Sequence, residues 1–134
     1  GGSGERPSHY SLGDLLYYER QDENGAFKAY RAAIEADPGH LPANTRFGSL
    51  LYARAAQAEE NSGADQSNAA VYLRLYEEAA RHLNIGLGAG NEWTRRAALG
   101  AARQRAALAQ AQAGRRQRKK AGEGKGGAEE KEGP

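Results

Sequence analysis

The chain has 134 residues and a formal net charge of +2, and it contains neither Cys nor Met. Without cysteine it can form no disulfide and no thiolate metal site, and no run of 18 or more apolar residues is present that could span a membrane. The charge is uneven, since residues 9–113 hold 11 basic and 12 acidic side chains whereas residues 115–134 hold 7 basic and 4 acidic.

The first predicted elements are a linker and a helix pair. Residues 1–6 begin with Gly-Gly-Ser-Gly, which is typical of a flexible linker or a cloning scar, and the missing initiator Met predicts a processed chain or a fragment. Ser8 can cap a first helix that runs to about Arg20. Asn24 can cap a second helix, which should end before Pro38 because proline disfavours helix in the preceding residue.

A third and a fourth helix follow, separated by a polar loop. Pro42 suits the first turn of the third helix, where its missing N–H costs nothing. The loop is predicted over residues 60–67, and the fourth helix is expected to begin at Ser67 or Asn68. That helix is expected to end at the glycine-rich segment 84–90.

The last predicted elements are a fifth helix and a tail. Asn91 begins an Ala-rich helix that reaches Ala113, where Gly114 is expected to end it. No aromatic, Leu, Ile or Val residue follows, so residues 114–134 cannot bury enough apolar surface to offset the entropy of ordering. We therefore predict a helical domain over residues 7–113 and a disordered charged tail over residues 114–134.

The first helix pair has the residue spacing of a repeat. Its aromatic and small residues stand at offsets 0, 7, 16, 20 and 23, namely Tyr10, Tyr17, Ala26, Tyr30 and Ala33. The fourth helix recovers the last three positions as Tyr72, Tyr76 and Ala79. Two large-small pairs, Phe47-Gly48 and Leu99-Gly100, mark the third and fifth helices as equivalents of the first.

This spacing resembles the tetratricopeptide repeat, a unit of about 34 residues built from an antiparallel helix pair. The resemblance covers residues 7–83, with a longer loop in the second pair. It implies an all-α fold, a short right-handed α-solenoid of two TPR-like helix hairpins plus a C-terminal capping helix. A three-helix or five-helix bundle without repeat symmetry is the alternative.

The same resemblance implies a non-enzymatic protein–protein interaction module, an adaptor or a peripheral subunit of a larger assembly. Such a module would bind a peptide or helix in the groove of its inner helices, or on the open flank of the C-terminal helix. The first helix of each pair lines that groove, which implies seven groove residues: Leu12, Leu15, Tyr18, Thr45, Arg46, Ser49 and Tyr52. For Leu12 and Leu15 the alternative is that they pack inward. Some members of the family carry a basic clamp for acidic chaperone tails; here only Arg46 is basic among the matching positions, so that ligand is not expected.

No constellation of residues predicts catalysis, so we expect no enzyme. Three histidines are present, His9, His40 and His82. They stand in separate elements without metal-ligand spacing, and neither a metal nor a cofactor is expected. The pairs Glu59-Glu60 and Glu77-Glu78 should splay apart on their helices as solvated residues. Trp93 is predicted to pack the fifth helix on the fourth, with a ligand contact as the alternative.

A cluster of cations directly follows the fifth helix and consists of Arg115, Arg116, Arg118, Lys119 and Lys120. Such a cluster can neutralise phosphates, and it also has the composition of a nuclear localisation signal. Because no aromatic residue is interleaved, nucleic-acid contact would be non-specific. A solvated tail is the first interpretation, and an RNA- or ribosome-associated factor is the alternative function. An intracellular location, cytoplasmic or nuclear, is favoured.

Overall fold

Over residues 8–132 the chain forms five α-helices, and consecutive helices pack against one another. The computed structural model describes residues 8–132, with side chains for residues 8–123. The helices are α1 (His9–Asp14), which continues as a π-helical turn (Leu15–Glu19), α2 (Glu23–Ala36), α3 (Leu41–Ser62), α4 (Ala69–Leu87) and α5 (Glu92–Glu132). No strand is found in that range, and the predicted all-α class is confirmed. The predicted linker, residues 1–6, lies outside the described residues.

Local capping interactions set the starts of the first two helices. Ser8 caps α1 as predicted, with its Oγ accepting the N–H of Ser11 at 3.0 Å. The cap of α2 is Asp22, not Asn24, because the Asp22 carboxylate accepts the N–H of Gly25 at 2.9 Å. Because Asp22 precedes Asn24 by two residues, α2 starts earlier than predicted, at Glu23.

The ends of the two central hairpin helices, α3 and α4, lie beyond their predicted positions. The third helix starts as predicted, with Pro42 in its first turn, but it runs to Ser62, into the segment expected to be a loop. The fourth helix continues past residue 84 to Leu87. Gly86 explains this extension: a Cβ at that position would lie 2.8 Å from the backbone N of Thr45, so only glycine lets the last turn of α4 pack on α3.

The fifth helix does not end at Gly114. It continues through that residue to Glu132, and Gly114 does not take the positive φ that a glycine helix stop requires. A lone glycine costs only about 1 kcal/mol in a helix, and strong helix formers stand on both sides. Every residue from 109 to 123 is exposed except Gly114, which is half-buried. The division into a folded domain and a disordered tail itself stays a prediction.

The core lies between neighbouring helices and depends on glycines at their crossings. Its largest fully buried side chains are Tyr30, Phe47, Leu51, Tyr76 and Leu83. A Cβ on Gly13 would lie 2.5 Å from the Tyr30 ring, and one on Gly100 would lie 2.5 Å from the Tyr76 ring. Each buried tyrosine therefore packs on bare backbone of the adjacent helix.

A buried polar pair joins α3 to α4. His82 and Asn44 are 5% and 0% exposed, and the His82 Nδ1 lies 2.8 Å from the Asn44 Oδ1. Because the Asn44 amide nitrogen donates to the carbonyl groups of Pro38 and His40 at 3.0 and 2.8 Å, its oxygen accepts from His82. Nδ1 of the histidine therefore carries a proton, and Nε2 lies 3.4 Å from the Arg81 guanidinium, which can only donate, so the ring is neutral. Its ring also packs edge-on against Phe47, with centroids 4.8 Å apart.

This pair predicts a loss of stability in mild acid. Burial, reinforced by Arg81 and Arg31 and opposed by Glu78, holds the pKa of His82 below its usual value of 6.5. The unfolded chain therefore binds the proton more tightly, and the stabilisation is complete above pH 6.5 and lost as the pH falls below it. Urea unfolding at pH 7 and pH 5 should show this loss. The free energy of unfolding should fall less between pH 7 and pH 5 in His82→Gln than in the wild type, whereas His9→Gln, at an exposed histidine, should behave like the wild type. An equal fall in all three proteins would contradict the role given to His82.

Candidate partner-binding groove

The exposed face of α3 forms the floor of a groove. Three exposed residues at four-residue spacing share this face: Ser49, Ala53 and Gln57. Ala53 lines three cavities and Ser49 lines two of them, so the cavities adjoin one another along the helix. We call this floor, together with the side chains of Tyr17, Tyr18 and Trp93 that flank it, the α3 groove.

The end of α1 forms one wall of the α3 groove. Tyr17 and Tyr18 stand edge to face with ring centroids 4.9 Å apart, and they line a cavity of about 160 Å³ with Arg46 and the floor. Both tyrosines lie on the π-helical turn, which carries one more residue per hydrogen-bonded ring than an α-helical turn. This turn directs Leu16 toward the core and leaves Tyr18 61% exposed.

The start of α5 forms the opposite wall. Trp93 is 47% exposed and stands edge-on to Tyr52 of α3, with ring centroids 5.9 Å apart. Its backbone N–H donates to Asn91 at 2.8 Å, and the Arg96 guanidinium lies 4.8 Å from its ring centroid. With Tyr52, Leu83 and the floor it lines a cavity of about 290 Å³. This end of the groove is mainly aromatic and aliphatic.

Arg46 is held in place at the tyrosine end. Its Nε donates to the Asp14 carboxylate at 3.2 Å, and the Tyr30 hydroxyl donates to the same oxygen at 2.5 Å. Burial, together with the hydrogen bond to Asp14, raises the pKa of Tyr30, which therefore stays a neutral donor. The guanidinium also lies 5.7 Å from the ring centroid of Tyr10. Asp14 thus balances the charge of Arg46 and fixes its direction.

Four of the seven predicted groove residues line the two cavities, namely Tyr18, Arg46, Ser49 and Tyr52. Leu12 and Leu15 are 39% and 41% exposed; they do not pack inward, and they lie outside both cavities. Thr45 belongs to the contact between α3 and α4, where its hydroxyl donates to the Leu41 carbonyl at 2.9 Å beside Gly86. A role for any of the seven in binding stays a prediction.

For two residues of the α3 groove, Tyr17 and Trp93, the sequence predicts a different role. Tyr17 has a repeat-core position, but it is 38% exposed on the tyrosine wall. Trp93 is predicted to pack the fifth helix on the fourth; its aromatic partner is Tyr52 on α3, and Leu83 of α4 lines the same cavity. The sequence signal for Trp93 is a single tryptophan in the first turn of the fifth helix.

The basic cluster lies on α5 beyond its contact with α4. All five predicted side chains are exposed: Arg115, Arg116, Arg118, Lys119 and Lys120. The three histidines stay apart, and among the described side chains no group of three or more His, Asp or Glu is placed to hold a metal ion. Over the described part of the chain, no helix is long and apolar enough to cross a membrane.

Comparison with known proteins leaves the family open. The chain matches no protein-family model, no curated protein and no solved structure. The resemblance to tetratricopeptide repeats therefore depends on the residue spacing given above, and the assignment of function depends on the geometry of the α3 groove and of α5.

Proposed function

We propose that this protein is a non-enzymatic interaction module whose α3 groove binds a peptide or a helix of another protein. The proposal includes a TPR-like arrangement, in which α1–α2 and α3–α4 are hairpins of a short right-handed solenoid and α5 is the capping helix. The observation that carries it is the groove itself, a floor of small side chains between two exposed aromatic walls. An adaptor or a peripheral subunit of an assembly would use such a surface.

The residues on the walls are the types that dominate binding at protein interfaces. Tyrosine, tryptophan and arginine are enriched among the residues whose truncation costs most affinity, and Tyr18, Trp93 and Arg46 stand along one groove. Their edge-on stacking and ion pairing hold them in place before a partner arrives. Little conformational entropy is then lost on binding.

The floor admits a backbone or an apolar side chain. Ser49 and Ala53 have short side chains, so a ligand can approach the α3 helix closely between the walls. The cavity beside Trp93, at about 290 Å³, is large enough for one large apolar side chain. The ligand expected here is therefore a segment with an aromatic or aliphatic residue that inserts between Tyr52 and Trp93.

Truncating the walls should abolish most of this binding. Peptides selected from a random 12-residue display library on the full chain serve as the probe, and fluorescence anisotropy measures their affinity. Trp93→Ala and Tyr18→Ala should each weaken binding by at least about tenfold, which is the usual loss for a dominant interface residue. Thermal unfolding of each variant establishes that the fold is kept.

Leu99→Ala is the matched control, because Leu99 is also a large exposed residue of α5, 62% accessible, but lies on its open flank. It should leave the affinity unchanged. Peptides that lose affinity with Leu99→Ala and keep it with Trp93→Ala would move the binding surface to that flank. A library that yields no binder would contradict both surfaces.

A further inference from the structure

The fifth helix carries a long stretch without any acidic residue. Between Trp93 and Gly122, 30 residues contain nine Arg or Lys and no Asp or Glu. The chain as a whole has nearly equal numbers of the two charges, 19 and 17, so residues 93–122 are unusual in lacking any anion. This feature is independent of the α3 groove.

Three of the four arginines on the packed half of α5 form ion pairs, and Arg95 is the exception. Arg96 pairs with Glu92 at 2.5 Å, Arg103 with Glu59 at 2.9 Å and Arg105 with Glu77 at 3.1 Å. The distal cluster is different. Among residues 8–123, no carboxylate forms an ion pair with Arg115, Arg116, Arg118, Lys119 or Lys120. Within that range their charge is not neutralised, and all five side chains are exposed.

From these features we infer that the distal part of α5 binds the phosphate backbone of double-stranded DNA, independently of base sequence, by lying in the major groove. Six helical residues span about 9 Å, and duplex DNA carries one phosphate charge per 1.7 Å or so of its axis, roughly five over the same length. The cluster supplies five cations from Arg115 to Lys120. Charge density on the two surfaces therefore matches.

The distribution of the cations around the helix selects the shape of the partner. At about 100° per residue, the five side chains cover roughly 200° of the helix circumference, with Gln117 on the remaining side. A helix in the major groove, which is about 12 Å wide, has a phosphate strand on either side. Cations on more than half of the circumference can reach both strands, whereas a flat anionic surface would meet only part of them.

Three other polyanions fit less well. A membrane-bound helix needs large apolar residues on one face, but residues 109–122 hold only Ala, Gly, Gln, Arg and Lys. Duplex RNA has a deep, narrow major groove, and a single strand needs aromatic residues for base stacking, which this segment lacks. All three serve as arms of the test.

The test is fluorescence anisotropy of the full chain with a labelled 20-base-pair DNA duplex from 50 to 200 mM NaCl. If all five cations contact phosphates, the slope of log K against log salt should be about −4.5. Arg115→Gln/Arg118→Gln should reduce the slope by about 1.8 and weaken binding about 60-fold near 0.1 M salt. Glutamine keeps the helix propensity of arginine, so the helix is retained.

The matched control removes the same charge from the same helix. Arg96→Gln/Arg105→Gln replaces two arginines that already pair with glutamates, and affinity should change less than about threefold because distant charges are screened at this salt. Equal losses in the two double variants would overturn the inference, since only net charge would then matter. So would a slope shallower than −1, or equal affinity for duplex RNA, for single-stranded DNA or for vesicles of anionic phospholipid.

Discussion

Gly48→Ala is expected to destabilise the protein by about 2 kcal/mol, the typical cost of overpacking a helix crossing. The new Cβ would lie 2.8 Å from the Leu83 Cγ, 3.0 Å from the Leu83 backbone N and 3.1 Å from the Ala79 carbonyl oxygen. Two of these atoms are backbone, so α3 and α4 must move apart to make room. The melting temperature should fall by about 4–8 °C for each kcal/mol lost.

Gly114→Ala makes the same substitution at a helical glycine without that contact. Only the flexible Arg118 side chain lies near the position of its Cβ, at 3.3 Å. The added methyl group should leave the melting temperature unchanged or raise it, because alanine is the better helix former by about 1 kcal/mol. Equal shifts for both variants would show that Gly48 does not set the spacing between α3 and α4.

The helices could be predicted from the sequence because their limits are set locally. Ser8 and Pro42 act within one turn of the chain, and the Pro38 effect reaches only the residue before it. One boundary error, at the end of α4, arose where a contact distant in sequence decided the boundary, whereas the errors at Asp22 and Gly114 had local causes. Gly86 extends α4 because it packs against Thr45, and no local pattern reports that contact.

The α3 groove could be predicted only in part for the same reason. The seven predicted residues were taken from the spacing of regular helices, whereas the π-helical turn at the end of α1 changes the register and brings Tyr17 into the wall. Trp93 lies 41 positions after its partner Tyr52, so their stacking depends on the placement of α5 against α3. Asp14 was not singled out from the sequence either, although it accepts hydrogen bonds from Tyr30 and Arg46.

A second carboxylate joins three helices and was predicted to be solvated. Glu59 of α3 accepts hydrogen bonds from Tyr76 of α4 at 2.6 Å, and from Arg103 and Gln104 of α5 at 2.9 and 2.6 Å. Tyr76 and Gln104 are 1% and 5% exposed. Both would be buried donors without an acceptor if Glu59 were absent. The Asp14 site has the same plan, with a buried tyrosine and an arginine of the next helix meeting at one carboxylate.

Glu59→Gln should therefore cost about 2 kcal/mol, the range for a charged hydrogen bond together with a buried donor left unpaired. The amide keeps the shape of the side chain but offers one acceptor oxygen, and its nitrogen would face Arg103 or Gln104, both donors. Glu77→Gln is the matched control, because Glu77 also pairs with an arginine of α5 but is half exposed. Such a surface pair contributes about 0–1 kcal/mol.

The pH dependence of stability in the Glu59→Gln and Glu77→Gln variants separates the effect of charge from that of shape. The hydrogen bond from Arg103 outweighs partial burial and lowers the pKa of Glu59 below its ordinary 4.5. Its stabilisation is therefore complete above pH 4.5 and lost as the pH falls through the lower value in the folded state. Urea unfolding at pH 6 and pH 3.5 should show a smaller acid-induced loss for Glu59→Gln than for the wild type or Glu77→Gln. Parallel losses in all three proteins would mean that Glu59 does not hold α3, α4 and α5 together through its charge.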